Sequence, residues 1–220
     1  SVIPMGTGGD LRRTLGLPNS PLEAIDCIGK FRRRIDLGRM EYVKHDGENH
    51  VAYFVNIASF GAAGLVDQIV NESSKALGGK ISFLLGATKG TLKYRNQDMR
   101  IILDPGSDEE KVSTGRFFNG VVANARYFGG GMMIAPEADM SDGCFDVILL
   151  GDLSTFEVLR GMPTLYSGKH LNRPKIESFR VRHLRAEPLT DDAVLIDLDG
   201  EQPGRLPADF TILEGAIDVS

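Results

Sequence analysis

Between residues 124 and 146 the chain reads NARYFGGGMMIAPEADMSDGCFD, and no other stretch carries so many special backbone positions. Three consecutive glycines, a short apolar segment, a Pro turn and an Asp-Gly turn lie between two β-like runs, 117–124 before and 145–150 after. Glycine is selected where φ is positive or where another group touches the backbone closely. Gly129, Gly130 and Gly131 therefore mark a sharp bend or a close approach. Alone, the run reads first as a bulged turn in a β protein.

The pattern around it is mostly β. Residues 34–43 and 50–58 read as two strands joined through Asp46-Gly47, a strong hairpin signal. Further strands are expected at 99–103, 175–187, 194–199, 210–213 and 216–219. In the second of these Arg180 and Arg182 share one face, Phe179 and Val181 the other. Helices are expected at 21–28, closed by Gly29, and from Leu65 to Tyr94 with a break at Gly78-Gly79. In the latter, Ile81, Leu84, Leu85, Thr88 and Leu92 share an apolar face, read as core or as the lining of an apolar cleft. Ser154-Thr155-Phe156-Glu157 has the form of a capping box and should start another helix. The change from helical to β pattern after the basic run Lys30, Arg32, Arg33, Arg34 places a domain boundary near residue 33.

A formal net charge of −5 over 220 residues argues against a nucleic-acid binder working through a basic surface. Cys27 and Cys144 have no CxxC or Cys/His spacing, which favours a reducing compartment without zinc. No apolar run approaches the roughly 20 residues of a membrane span, so a membrane role is expected to be peripheral. Ser1-Val2-Ile3-Pro4 reads as the tail of a buried strand, and an N-terminal part is expected to be missing.

Three groups of residues carry candidate chemistry. Gly6-Thr7-Gly8-Gly9-Asp10, followed by a helix, aims backbone N–H groups at one point, which suits phosphate; it is neither Walker A nor GxGxxG. Residues 169–185 hold six Lys/Arg against one Glu, to be read as a solvated strand face or as a surface for anionic lipid or substrate phosphate. Asp197, Asp199 and Glu201 fall on one face if the strand continues past Gly200. Carboxylates so placed raise one another's pKa and could accept a proton or hold a cation; the plain alternative is an exposed edge that turns at Gly200.

Taken together these stretches resemble the diacylglycerol kinase catalytic-domain family, which includes bacterial lipid kinases and sphingosine kinases. GTGGD with Arg13 after it is similar to that family's G-T-x-N-D-F-A-R, RYFGGGMMIAPEADMSDGCFDV resembles its R-x-x-G-G-G-M run, and Asp199-Gly200-Glu201 precedes a C-terminal hairpin as in the family. Gly9 stands where the family has Asn and Leu11 where it has Phe, and the family's G-G-D-G-T nucleotide loop, upstream of the first motif, is not in this sequence.

The resemblance implies a mainly β, α+β fold: the β-sandwich C-terminal domain of a two-domain lipid kinase (34–220), preceded by a remnant of the α/β nucleotide-binding domain (1–33). It implies ATP-dependent phosphoryl transfer to a diacylglycerol-like hydroxyl, by a fragment expected to be inactive alone. It assigns Glu201 as general base. Thr7, Gly6 and Gly8 would lie at the nucleotide phosphates, with Asp10 in an acidic and metal network and Arg13 offsetting phosphate charge. Asp142 would hold a structural Mg²⁺ with backbone oxygens of Asp139 and Cys144. The implied partners are a lipid substrate, the membrane surface and the missing nucleotide-binding domain, in the cytoplasm and without nucleic acid; a homodimer is left open. Two alternatives stand beside this: a non-catalytic lipid- or metabolite-binding β domain, and a relative of the nicotinamide-dinucleotide kinases.

Overall fold

The computed structural model describes residues 2–3, 9–30, 32–72 and 89–219. Two antiparallel sheets face each other. The first holds β1 (Arg33–Lys44), β2 (Asn49–Phe54), β4 (Gln97–Leu103), β5 (Lys111–Phe117), β11 (His183–Pro188) and β13 (Gly204–Val219), in the order β2-β1-β13-β11-β4-β5. The second holds β3 (Ile57–Gly61), β6 (Asn119–Ala123), β9 (Phe145–Leu150), β10 (Ile176–Val181) and β12 (Ile196–Leu198), in the order β10-β9-β6-β3-β12. A separate small hairpin, β7 (Tyr127–Phe128) and β8 (Met132–Met133), closes around the three glycines. Helices α1 (Asp10–Leu15), α2 (Pro21–Asp26), α3 (Ala62–Glu72) and α4 (Thr155–Leu165) complete the described elements used below. The fold is the expected one: mainly β, built as a sandwich.

Strand alternation explains the layer between the sheets. Along β1, Met40 and Tyr42 point in while Arg39 and Glu41 point out, the period-2 pattern of a half-buried strand. Phe54 stacks on Phe145 across the core at 5.6 Å between ring centroids, and Phe60 meets Phe210 at 6.0 Å. Each such ring, fully buried, contributes about 2–3 kcal/mol of transfer free energy. Gly120 is required here, because a Cβ would lie 2.2 Å from the Phe60 ring. The outer face of the second sheet is covered in turn: Ile57, Val121 and Ile148 pack under Ile134, Ala135 and Ala138, with Leu165 of α4 against them. The helix α4 begins where its capping box predicts. Ser154 Oγ accepts from Glu157 N–H, and the Glu157 carboxylate accepts from Ser154 N–H at 2.8 Å.

Two expected strands turn out to be two strands each. Residues 50–58 leave the first sheet at Phe54 and enter the second at Ile57, and residues 175–187 pass from β10 to β11 at Arg182. Each crossing is held by a distant carboxylate. Asp199 accepts the N–H groups of Val55, Asn56 and Ile57, and Asp104 accepts those of Arg182 and His183. Conversely, the expected strands at 210–213 and 216–219 are one, β13, bulged at Gly215 (φ 55°), whose N–H donates to Asp36 at 2.7 Å. Of the apolar helical face expected at Ile81 to Leu92, Ile81, Leu84, Leu85 and Thr88 lie outside the described residues. Leu92 is exposed rather than core, while its neighbour Thr91 is buried.

Candidate functional site

Two of the three motifs, far apart in sequence, meet at Asn56, and Asp10 of the other reaches the glycine hairpin. The main-chain N–H of Asn56 donates to Asp199 at 3.1 Å, its side-chain amide donates to Tyr127 O at 3.0 Å, and its carbonyl receives Asn124 N–H and Ala125 N–H at 3.1 and 3.0 Å. Asn124 extends the junction, donating its amide to Asp36 O and Val55 O at 2.9 and 2.7 Å. From the other side, Asp10 of α1 receives Gly130 N–H at 2.8 Å, and Thr14 Oγ1 receives Arg126 N–H at 3.1 Å. The close approach marked by the glycines is therefore real. Gly129, Gly130 and Gly131 have φ of 57°, 83° and 113°, a path that side chains would strain, and Gly130 presents its amide to Asp10. Leu11 and Leu15 seal α1 to the sandwich in a cluster with Ile35, Ala125, Met140 and Val219.

Leu198 to Glu201 form a tight turn in which Leu198 and Glu201 exchange backbone hydrogen bonds of 2.8 and 3.0 Å. Both central residues have positive φ, Asp199 at 50° and Gly200 at 91°, the type I′ pattern for which Asp-Gly is suited. The turn breaks the single acidic face expected from strand alternation. Asp197 is buried, accepting from Ser59 Oγ at 3.0 Å and Gly200 N–H at 2.9 Å. Asp199 is committed to the crossover amides: burial pushes its carboxyl up, the three amide donors pull it down, Asp197 adds to the push, and the net shift is upward. Glu201 stands exposed past the turn, and among the described residues its carboxylate has no hydrogen bond or ion pair. A free carboxylate on a braced turn is suited to take a proton from a bound hydroxyl.

The other sequence candidates fall as follows. Gly6, Thr7 and Gly8 lie outside the described residues. The Asp10 carboxylate is shared between Gly130 N–H and the Arg13 guanidinium, and Arg13 reaches to 3.6 Å from where a side chain on Gly131 would begin. Asp142 pairs with Arg180 through one oxygen and accepts Cys144 N–H at 3.0 Å through the other; Asp139 pairs with Arg33 and accepts Ser141 N–H. The ligands expected at Asp139 and Cys144 are backbone oxygens, and that of Asp139 receives Asp142 N–H at 3.4 Å. As arranged, these donors fit guanidinium and amide partners rather than a resident divalent ion, which would have to displace Arg180 from Asp142. Among the described residues no group of three or more His, Cys, Asp or Glu side chains gathers as a metal site elsewhere.

The basic cluster of residues 169–185 is largely neutralised from within. Lys175 pairs with Glu157, Arg180 with Asp142, Arg182 with Glu214, and Arg185 with Glu187 and Asp209. Of its six cations, Lys169 and Arg173 are left without a carboxylate partner among the described residues, so little remains of the excess in its charge count.

Residues that sequence reading missed are Asn56, Asn124 and the pair His45–Gln202. His45 Nε2 lies 2.8 Å from Gln202 Oε1, tying the β1–β2 hairpin tip to the residue after Glu201. Asn56 was readable only as the end of a strand, and nothing local in the sequence marks His45.

Fold and site together define a β-sandwich domain in which α1, the glycine hairpin and the Asp199-Gly200 turn are linked by hydrogen bonds. Residues 56–220 match the YegS C-terminal NAD kinase beta sandwich-like domain, and the chain belongs to that family. Among curated relatives, a diacylglycerol kinase from Mycobacterium tuberculosis is 28% identical over 99% of this chain and 67% of its own length. One from Staphylococcus aureus is 28% identical over 99% of this chain and 64% of its own. The chain thus spans about two thirds of the length of these relatives. Two solved Bacillus anthracis structures share the fold, with TM-scores of 0.70 and 0.64 at 22% and 17% identity. They cover 98% of this chain and 67% and 64% of their own; the second is described as a diacylglycerol kinase.

Proposed function

We propose that this chain is the acceptor-side part of an ATP-dependent lipid kinase that phosphorylates a diacylglycerol-like hydroxyl, with Glu201 as general base. The observation that carries the proposal is the convergence at Asn56, which fixes the Asp199-Gly200 turn and leaves the Glu201 carboxylate open beside it. Relatives named diacylglycerol kinase supply the reaction class and the lipid.

In phosphoryl transfer the protein positions the acceptor and offsets charge, with little covalent chemistry of its own. Glu201 takes the hydroxyl proton as the oxygen becomes a nucleophile. Asp199 holds the turn still by spending both oxygens on three amides. Arg13, anchored by Asp10 against glycine backbone, is a cation whose setting fits a phosphate, and the family resemblance would add N–H and hydroxyl donors from Gly6, Thr7 and Gly8. ATP with Mg²⁺ as counter-ion would supply the γ-phosphoryl group there, together with a nucleotide-binding part upstream. No step is assigned to a cation at Asp142. The proposed setting is cytoplasmic, at the membrane surface.

The test is Glu201→Gln in the protein extended to include a nucleotide loop, assayed with diacylglycerol and ATP. Turnover should fall by about 10²–10⁴, with unchanged thermal stability. Near wild-type turnover would remove Glu201 from the chemistry. Activity on NAD but not lipid would instead favour the nicotinamide-dinucleotide alternative.

A further inference from the structure

Helix α4 wears its apolar residues on the outside. Phe156 is 72% exposed, Tyr166 56% and Leu159 36%, and Pro163 between them is exposed as well. Positions 156, 159, 163 and 166 follow three- and four-residue spacing, so they form one stripe on the helix. The opposite side already fills the core contacts: Gly161 is buried, Val158 packs with Leu153 and Phe118, and Leu165 packs with the cluster around Ile148. The helix is thus apolar towards the sheet and apolar again towards solvent.

The charges bordering the stripe decide what it meets. Glu157, the one carboxylate of the helix, is turned away and held by Ser154 and Lys175. Arg160 and Lys169 are exposed at its margins, and neither makes an ion pair with a described residue. Lys169 is the cation that the internal pairing of the basic segment leaves over, Arg173 being folded under the helix onto Glu157 O. A convex stripe of Phe, Leu, Pro and Tyr bordered by cations is the composition of a helix lying in a lipid interface, its apolar side chains at the acyl boundary and its cations at anionic headgroups. A second copy of this chain would bring two such cationic margins together with no carboxylate between them, which disfavours self-association.

We infer that the outer face of α4 is a bilayer-docking surface that selects membranes containing anionic lipid. The inference rests on the membrane setting proposed above and names the face that meets the bilayer; it does not depend on the transfer chemistry, so a catalytically dead protein should dock equally well.

The chain contains no tryptophan, which gives a direct test. Phe156→Trp should show a blue-shifted emission, quenched by brominated acyl chains, with vesicles of phosphatidylcholine and phosphatidylglycerol. Tyr53→Trp, 58% exposed on β2 in the first sheet, should respond to neither. Phe156→Ser with Leu159→Ser, and separately Arg160→Glu with Lys169→Glu, should each weaken vesicle binding about tenfold or more. All four positions are exposed, and circular dichroism checks that the fold persists. The inference is overturned by an unresponsive Phe156→Trp, by equal response at Tyr53→Trp, or by binding that survives both double substitutions. It is overturned too if the serine pair instead converts a dimer to a monomer by light scattering, which would make the stripe an interface between copies.

Discussion

At two of the crossings between the sheets, β2 to β3 and β10 to β11, an aspartate in left-handed conformation receives consecutive amides. Asp199, at φ 50°, uses both carboxylate oxygens on Val55, Asn56 and Ile57; Asp104, at φ 46°, uses one oxygen on Arg182 and His183. The local device is the same, since a chain leaving one sheet strands its N–H groups and a carboxylate can collect them. The surroundings differ. What Asp104 holds leads only into β11, whereas Asn56, held by Asp199, passes its side chain on to Tyr127, and Asp199 itself sits in the turn that ends at Glu201. A corner becomes a candidate site through what it connects.

The harshest way to break this comparison is to remove the carboxylates in turn. Asp199→Ala strands three amides, one of them on half-buried backbone, and at about 1 kcal/mol for each lost bond the expected loss is about 3 kcal/mol by urea denaturation. Lipid kinase activity of the extended protein should disappear with it. Asp104→Ala strands two amides, one of them likewise on half-buried backbone, for about 2 kcal/mol at the same cost per bond, and should leave activity unchanged. Equal loss of activity in both variants would mean that the crossings matter only as architecture.

Proton linkage sharpens the same contrast. Burial raises the Asp199 carboxyl, and burial also pushes Asp146 to about 6, opposed by Arg180 and reinforced by Asp142 and Glu137. A raised carboxyl binds its proton more tightly folded than unfolded, so its contribution is present at low pH and is lost as pH rises from about 4 towards the folded value. His170 acts the other way in the same range, because burial lowers its pKa and the folded protein gains as it becomes neutral. The difference between wild type and Asp146→Asn isolates one group from this sum. The variant's relative stability should climb between pH 4 and pH 6.5 and level off above, and a flat difference would show that Asp146 keeps its ordinary pKa.

Much of the fold could be read from residues alone, for stated reasons. Asp46-Gly47 and Asp199-Gly200 are turn chemistry, Ser154 to Glu157 is a cap, and the alternation along β1 reports one buried face. The sheet crossings could not be read. Residues 50–58 carry no Gly or Pro to mark a break, because what divides the strand is a carboxylate more than 140 residues away. The charge of residues 169–185 misled for a related reason: the acids that cancel it, such as Asp142 and Glu214, are remote in sequence and adjacent only once β10 and β11 are in place. At the site, glycines and Asp-Gly-Glu gave the position of the turn, while Asn56 gained its role from four partners on two other segments, Asn124 to Tyr127 and the Asp199 turn.

The smallest effect is expected at His45, and it separates positioning from bracing. Gln202 donates its amide nitrogen to Gly204 O at 2.6 Å, which turns its carbonyl oxygen towards His45, so the His45 ring must supply the hydrogen of the 2.8 Å contact. The contact lies at the surface and should be worth no more than about 0.5 kcal/mol to folding. Its effect on Glu201 is through the adjacent residue: a looser Gln202 lets the carboxylate wander from the acceptor hydroxyl. His45→Ala in the extended kinase should therefore lower kcat by about threefold to tenfold with little change in KM, since geometry at the reacting atoms is what suffers. His45→Gln, which keeps a donor, should recover most of that loss. A parallel change in kcat and stability, or no recovery with Gln, would reduce His45 to an ordinary surface contact and leave Asp199 as the only brace of the turn with a consequence for chemistry.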